Sequence, residues 1–379
     1  MTCCCMRALT SIAASLFLAE CGQASETWPL WEAFKSHFVA AEGRVVDHDA
    51  GDRTTSEGQS YGLFFALVAN DRRIFDRLLG WTECNLAAGD LTARLPAWLW
   101  ERGADANWYV VDENSASDAD LWLAYTLFQA GIAWQSDRYI QLGTSLANRI
   151  AAEEVATLAG FGPMVLPGPR GFQPHKDIYI LNASYVPLQI VWNLAAHSPT
   201  GPWTDIALNI PKLLKGSSRS GWVLDWIAYK SGVGFESASP FRTEAKASYD
   251  AIRVYLWAGM LDERTFLRKQ VLEAVSPAMV DFLRDHVNPP AQVNEKGVVE
   301  EFRSDVGFAA AVLPLLFTLN EMSSVAKQQR KLASEWEAST GLYGSNARYY
   351  DACLTLFANG WTEQKFSFDA QGALNLRWK

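Results

Sequence analysis

The sequence predicts an all-α fold, an (α/α)6 barrel of six inner and six outer helices. Three observations lead there. Apolar segments of helical length are frequent, while alternating strand patterns are few. Six of those segments share one grammar, a small polar cluster followed by an apolar run. The six starts, near residues 56, 117, 182, 248, 304 and 345, recur at intervals of about 40–70 residues, which is room for a helix, a loop, a return helix and another loop.

In chain order, Thr55-Ser56-Glu57 precedes Leu63 to Leu67, and Ser117-Asp118-Ala119-Asp120 precedes Leu121 to Tyr125. Asn182-Ala183-Ser184-Tyr185 precedes Leu188 to Trp192, and Ser248-Tyr249-Asp250 precedes Ile252 to Trp257. Ser304-Asp305 opens Val306 to Leu319, and Ser345-Asn346 opens Ala347 to Phe357. Ser56 with Gln59 reads as a capping box and Ser117 with Asp120 as a similar pair. Turn residues at Asn70-Asp71, Gly131, Gly259 and Asn359-Gly360 mark helix ends. The return segments, such as Arg138 to Glu154 and Glu263 to Leu283, are amphipathic and suit an outer layer. Trp108 to Val111 and Phe161 to Gly171 read as loops or short hairpins at one rim. An irregular helical bundle is the alternative architecture with the same periodicity.

At 379 residues and 49% apolar, the chain folds and can bury a large core. With 33 basic against 42 acidic residues its net charge is −9, and no long basic run exists to grip nucleic acid. The 16 Trp stand out, because an indole offers a flat face and one N–H to a partly polar ligand. Five scattered histidines give no paired-ligand motif, so no metal and no other cofactor is expected.

Residues 1–24 read as a signal peptide. Ala8 to Ala19 is an apolar stretch too short to span a bilayer, which needs roughly 20 residues, and Gly22-Gln23-Ala24 is a small-x-small cleavage pattern. The mature chain, 25–379, is then one domain without a transmembrane segment, periplasmic or secreted. Lipoprotein processing at Cys21 is the alternative, although Glu20 stands where a small residue belongs. Only Cys84 and Cys353 remain beyond the leader, as one disulfide or as two buried thiols.

Three helix starts carry a carboxylate: Glu57, Asp118 and Asp250. Parallel inner helices would gather them at one mouth of the barrel. Acids near helix N-termini are also ordinary stabilisers of the helix dipole. Paired carboxylates among aromatics suit glycoside hydrolysis, in which one acid keeps a proton and the other is ionised. A helix N-terminus lowers a carboxyl pKa, so Glu57 needs burial or a neighbouring acid to hold its proton.

The segments Thr54 to Gly62, Leu95 to Trp100, Asn114 to Asp120 and Ser248 to Tyr255 resemble glycoside hydrolase family 8, and among its members the periplasmic endoglucanases that accompany bacterial cellulose synthase. The resemblance continues to Leu354 to Trp361. It implies an (α/α)6 barrel and an inverting endo-β-1,4-glucanase (a cellulase). Glu57 is then the general acid, Asp250 the base that activates water, and Asp118 the holder of the sugar at the cleavage point. Tyr185 matches the family tyrosine near that water. Arg253, three residues after Asp250, either holds the base ionised or is a barrel-wall ion pair. Trp100, Trp108 and Trp226 are candidate stacking platforms or rim packing, and Trp122, Trp192 and Trp257 are read as core. The expected partner is β-1,4-glucan, with a cellulose synthase complex nearby and the enzyme a monomer. A non-catalytic glycan-guiding protein on the same fold is the competing reading, and a polysaccharide lyase is disfavoured by the acidic site.

Overall fold

A computed structural model describes residues 27–242 and 245–379. The predicted leader and its cleavage point lie outside them. Among the described residues, thirteen α-helical segments follow in chain order: α1 Pro29–Phe38, α2 Ser56–Val68, α3 Arg72–Leu86, α4 Ser117–Ala133, α5 Asp137–Glu153, α6 Leu188–His197, α7 Trp203–Ser217, α8 Ala251–Gly259, α9 Arg268–Asp285, α10 Val306–Ala311, α11 Leu313–Thr318, α12 Met322–Ser334 and α13 Tyr349–Thr362.

Two layers follow from their sequences. The inner ring is α2, α4, α6, α8, the α10–α11 pair and α13. Its helices are apolar nearly all round because both faces are covered, and α2 and α4 are buried along almost their whole length. The outer helices α3, α5, α7, α9 and α12, with α1 against α13, bury one stripe and show a polar face to water. The inner ring closes where Phe357 of α13 meets Tyr61, Phe64 and Phe65 of α2, with ring centroids 4.7–5.3 Å apart. Trp122 fills the barrel axis, in contact with Phe64, Trp257 and Phe357 at 5.0–5.2 Å. Trp122 and Trp257 are core, as expected. Trp192 is only half-buried, set on the outside of α6 against Phe266.

Prolines account for the helix boundaries that depart from the pattern. Asn182 caps a short 3-10 turn at Ala183–Tyr185, and α6 begins only after Pro187. The expected helix Val306 to Leu319 breaks at Val312 and restarts with Pro314 in its first turn, where a missing N–H costs nothing. Conversely, α4 runs past Gly131 to Ala133, and α13 runs past Gly360 to Thr362. Buried glycines inside a helix need not end it.

Short antiparallel strands edge the barrel. Thr54–Thr55 pairs with Leu99–Arg102, which pairs with Trp108–Asp112, so Trp108 to Val111 takes the short-hairpin form of the two expected there. Ile178–Leu181, Ile227–Lys230 and Gly234–Ser237 form a second three-stranded sheet. The C-terminal hairpin, Phe366–Phe368 with Leu374–Leu376, covers the opposite end of the barrel. Tyr125 donates to the carbonyl of Gly372 at 2.9 Å, and Gln129 accepts from Leu374 N–H at 2.9 Å. Gly372 has φ +77°, and a Cβ there would strike the Gln189 carbonyl, so only glycine fits this turn. Among the described residues no helix is long and apolar enough to cross a membrane. Cys84 and Cys353 are both free: Cys353 is buried in α13, but Cys84 lies exposed on outer helix α3, so the pair is neither the disulfide nor the two buried thiols expected.

Candidate active site

One buried guanidinium gathers the three predicted acids. Arg253, on α8 and 2% exposed, donates through Nη1 to Glu57 Oε2 and to Asp118 Oδ2 (3.0 Å), and through Nη2 to Asp250 Oδ1 (2.8 Å). The starts of α2, α4 and α8 therefore meet at one mouth of the barrel. Nη1 also reaches Tyr61 Oη at 3.3 Å, and Nη2 reaches Ser184 Oγ at 3.1 Å. The ring of Tyr185 covers the same guanidinium, 5.4 Å from centroid to Cζ.

Each acid is delivered by local structure. At α2 the cap is Thr55, whose Oγ1 accepts from Gly58 N–H at 3.1 Å, so the expected capping box at Ser56 does not form. Gln59 instead reaches out of the helix, accepting from Val45 N–H (2.6 Å) and donating to Thr82 Oγ1 (2.9 Å), which pins the start of α2. Ser117 likewise is the first helical residue rather than the cap, and Asp118 holds its own Oδ1 on Ala119 N–H at 2.9 Å. This leaves its other oxygen for Arg253.

The electrostatics separate the acids. Glu57 keeps its proton up to about 7: burial is the largest cause, Asp118 and Asp250 add to it, and Arg253 opposes it. Tyr349 Oη also donates to Glu57 Oε1 at 3.3 Å. Burial raises Asp118 as well, again against the pull of Arg253. The requirement drawn from the sequence, a raised Glu57 despite its helix N-terminus, is met by burial and by the neighbouring acids.

The aromatic candidates divide. Trp226 lies 6.0 Å from Tyr185 and stacks at 6.0 Å on Phe172, with the Arg242 guanidinium over both rings. Trp100 and Trp108 stack on each other at 4.9 Å beneath Arg44, and Trp100 sits edge-on to Trp81 of α3. Sequence reasoning missed Tyr61, Tyr349, Ser184 and Asp225. Tyr61 carried a readable signal, four residues after Glu57 and thus on its face of α2.

Comparison with known proteins settles the family. The profile of glycosyl hydrolases family 8 matches residues 2–364. The chain is a family 8 glycosyl hydrolase. It is 41% identical to an endoglucanase of Xanthomonas axonopodis pv. citri over 98% of this chain and 94% of that protein. It is 39% identical to an endoglucanase of Salmonella typhi over 94% of this chain and 92% of that one. The crystal structure of an endo-1,4-D-glucanase from Vibrio fischeri superposes with a TM-score of 0.86 at 40% identity, covering 93% of this chain and 99% of that structure. Structures of the family share the (α/α)6 barrel, and this glycoside hydrolase has it too.

Proposed function

We propose that this family 8 enzyme is an endo-β-1,4-glucanase that cleaves with inversion. The carrying observation is the Arg253 hub, which joins Glu57, Asp118 and Asp250 while Glu57 holds its proton to about 7. Glu57 gives that proton to the leaving oxygen. Asp250 takes a proton from the water that attacks the opposite face of the sugar. The two acids sit on different nitrogens of one guanidinium, which keeps them apart, and inversion needs roughly 6.5–9.5 Å between the carboxyls to seat the water. Asp118 and Tyr185 hold the sugar at the cleavage point, and Trp226 stacks the next one. The endoglucanase relatives support an internal β-1,4-glucan bond as the target.

The protein acts outside the cytoplasm after removal of residues 1–24, as a single 25–379 domain beside the machinery that extrudes cellulose. Wild type is expected to lower the viscosity of carboxymethylcellulose rapidly and to release the α-anomer first by NMR. Asp250→Asn is expected to do neither. Activity retained in that variant would remove the base assignment, and a β-anomer first product would remove inversion.

A further inference from the structure

Asp250 is an aspartate at the N-cap of α8, the position where such a side chain ordinarily folds back to accept an N–H of its own first turn. Here it does not. Its backbone is already helical, at φ −76° and ψ −48°, and its side chain makes no cap bond. The carboxylate points instead to Arg253. The first amide of α8 is taken by an acid from elsewhere in the chain, while the Ile252 and Arg253 amides bond to the Ser248 and Asp250 carbonyls. Asp225 Oδ1 accepts from Ser248 N–H at 2.9 Å and from Ala251 N–H at 2.7 Å, the amides that bracket Tyr249 and Asp250.

Asp225 is itself firmly placed. Its own N–H donates to the Lys246 carbonyl at 2.7 Å, it is 6% exposed, and it leads directly into Trp226 and the strand Ile227–Lys230. It is thus tied to both ends of the segment that turns from residue 246 into α8. A carboxylate that bridges two amides of this turn fixes the position of the residue between them.

We propose that Asp225 is a positioning residue for the reaction: it caps α8 in place of Asp250 and so leaves the Asp250 carboxylate available, and aimed, for water activation. This rests on the reading of Asp250 as the base. The two carboxylates have divided the duties that one aspartate at an N-cap would otherwise combine. Without Asp225 the Ser248 and Ala251 amides lose their acceptor, the Asp250 side chain is the carboxylate next to Ala251 N–H, and a base bonded to its own helix no longer faces the substrate.

The test compares Asp225→Ala, Asp225→Asn and Asp250→Asn with wild type on a soluble cello-oligosaccharide, reading kcat and KM separately. Asp225→Ala is expected to lose kcat by roughly 10²-fold with KM within about twofold, the loss that misplacing a reacting group produces. Asp225→Asn, which retains an acceptor oxygen for both amides, is expected to recover kcat to within about fivefold of wild type. If Asp225→Ala yields no folded protein, Asp225→Ser takes its place: its shorter hydroxyl reaches one amide, and a kcat loss of about tenfold is expected. Three results overturn the proposal: kcat near wild type in the folded Ala or Ser variant, a loss confined to KM, or an Asp225→Asn variant as inactive as Asp250→Asn. The last would give Asp225 the chemistry itself. Activity in Asp250→Asn would instead remove the base assignment, a separate and distinguishable failure.

Discussion

Two groups of buried acids lie back to back at the start of α4, and they are kept in opposite ways. Asp118 faces the mouth of the barrel and shares Arg253 with Glu57 and Asp250. Two residues on, Asp120 points away from it, toward the end of α5, and hydrogen-bonds to Glu154, which also accepts from Ser115 Oγ at 2.6 Å. Burial, the bond between them and neighbouring carboxylates are among the strongest influences on Asp120 and Glu154, whereas at Glu57 the Arg253 cation is second only to burial. A bond between two carboxyls requires a proton, and burial, with repulsion from Asp118 and Glu153, keeps it on Glu154 up to about 8. A cation lets acids stay ionised or titrate near neutrality, ready for chemistry. A shared proton makes acids inert, and they serve only to tie the end of α5 to the start of α4.

The sharpest break of this contrast is Glu57→Gln. It keeps the shape and the Arg253 bond but has no proton to give, so turnover is expected to fall roughly 10²–10⁴-fold with cello-oligosaccharide binding retained. Calorimetry on the variant beside a turnover assay checks both halves. In the wild type the same proton sets the alkaline limb: kcat/KM is expected to fall as pH rises through about 7, where Glu57 ionises. A limb lying well above that value would point to a different acid.

Removing the cation comes next. Arg253→Met leaves the buried Asp118 and the half-buried Glu57 and Asp250 without their partner, a loss of about 3 kcal/mol in urea unfolding. Because Arg253 lowers the proton affinity of Glu57, any residual activity should carry its alkaline limb to higher pH, not lower. Unchanged stability would mean that the hub contributes little to the fold.

The difference between the two acid groups also explains what was legible in the sequence. Glu57, Asp118, Asp250 and Arg253 were readable because each sits at the repeated helix start, where a parallel ring must converge. The alternation of apolar and amphipathic helices exposed the barrel for the same reason. What failed was decided by contacts across the chain. Ser56 and Ser117 look like caps, but Thr55 and the extended backbone at Ala116 place the helix starts one residue earlier. Trp100 reads in the sequence as stacking platform or rim packing alike, and only the strand that carries it brings its ring against Trp81. Asp225 has no sequence marker, since its function comes from amides 23 and 26 residues away. Glu154 ends an amphipathic helix like any surface acid, and only the fold buries it.

That burial sets the prediction with the most specific sign. In the folded chain Glu154 holds its proton to about 8, whereas an unfolded glutamate releases it near 4.3. Between those values the folded state binds the proton more tightly, so this group's contribution to stability declines as pH rises through that window. Glu154→Gln removes the titration while retaining a donor and an acceptor for Asp120 and Ser115. The variant is expected to match wild type near pH 4.5 and to gain on it steadily toward pH 8.5. Thermal unfolding at both pH values measures it. An equal difference at the two ends would mean that Asp120 and Glu154 share no proton, and the contrast with the Arg253 hub would then be one of packing alone.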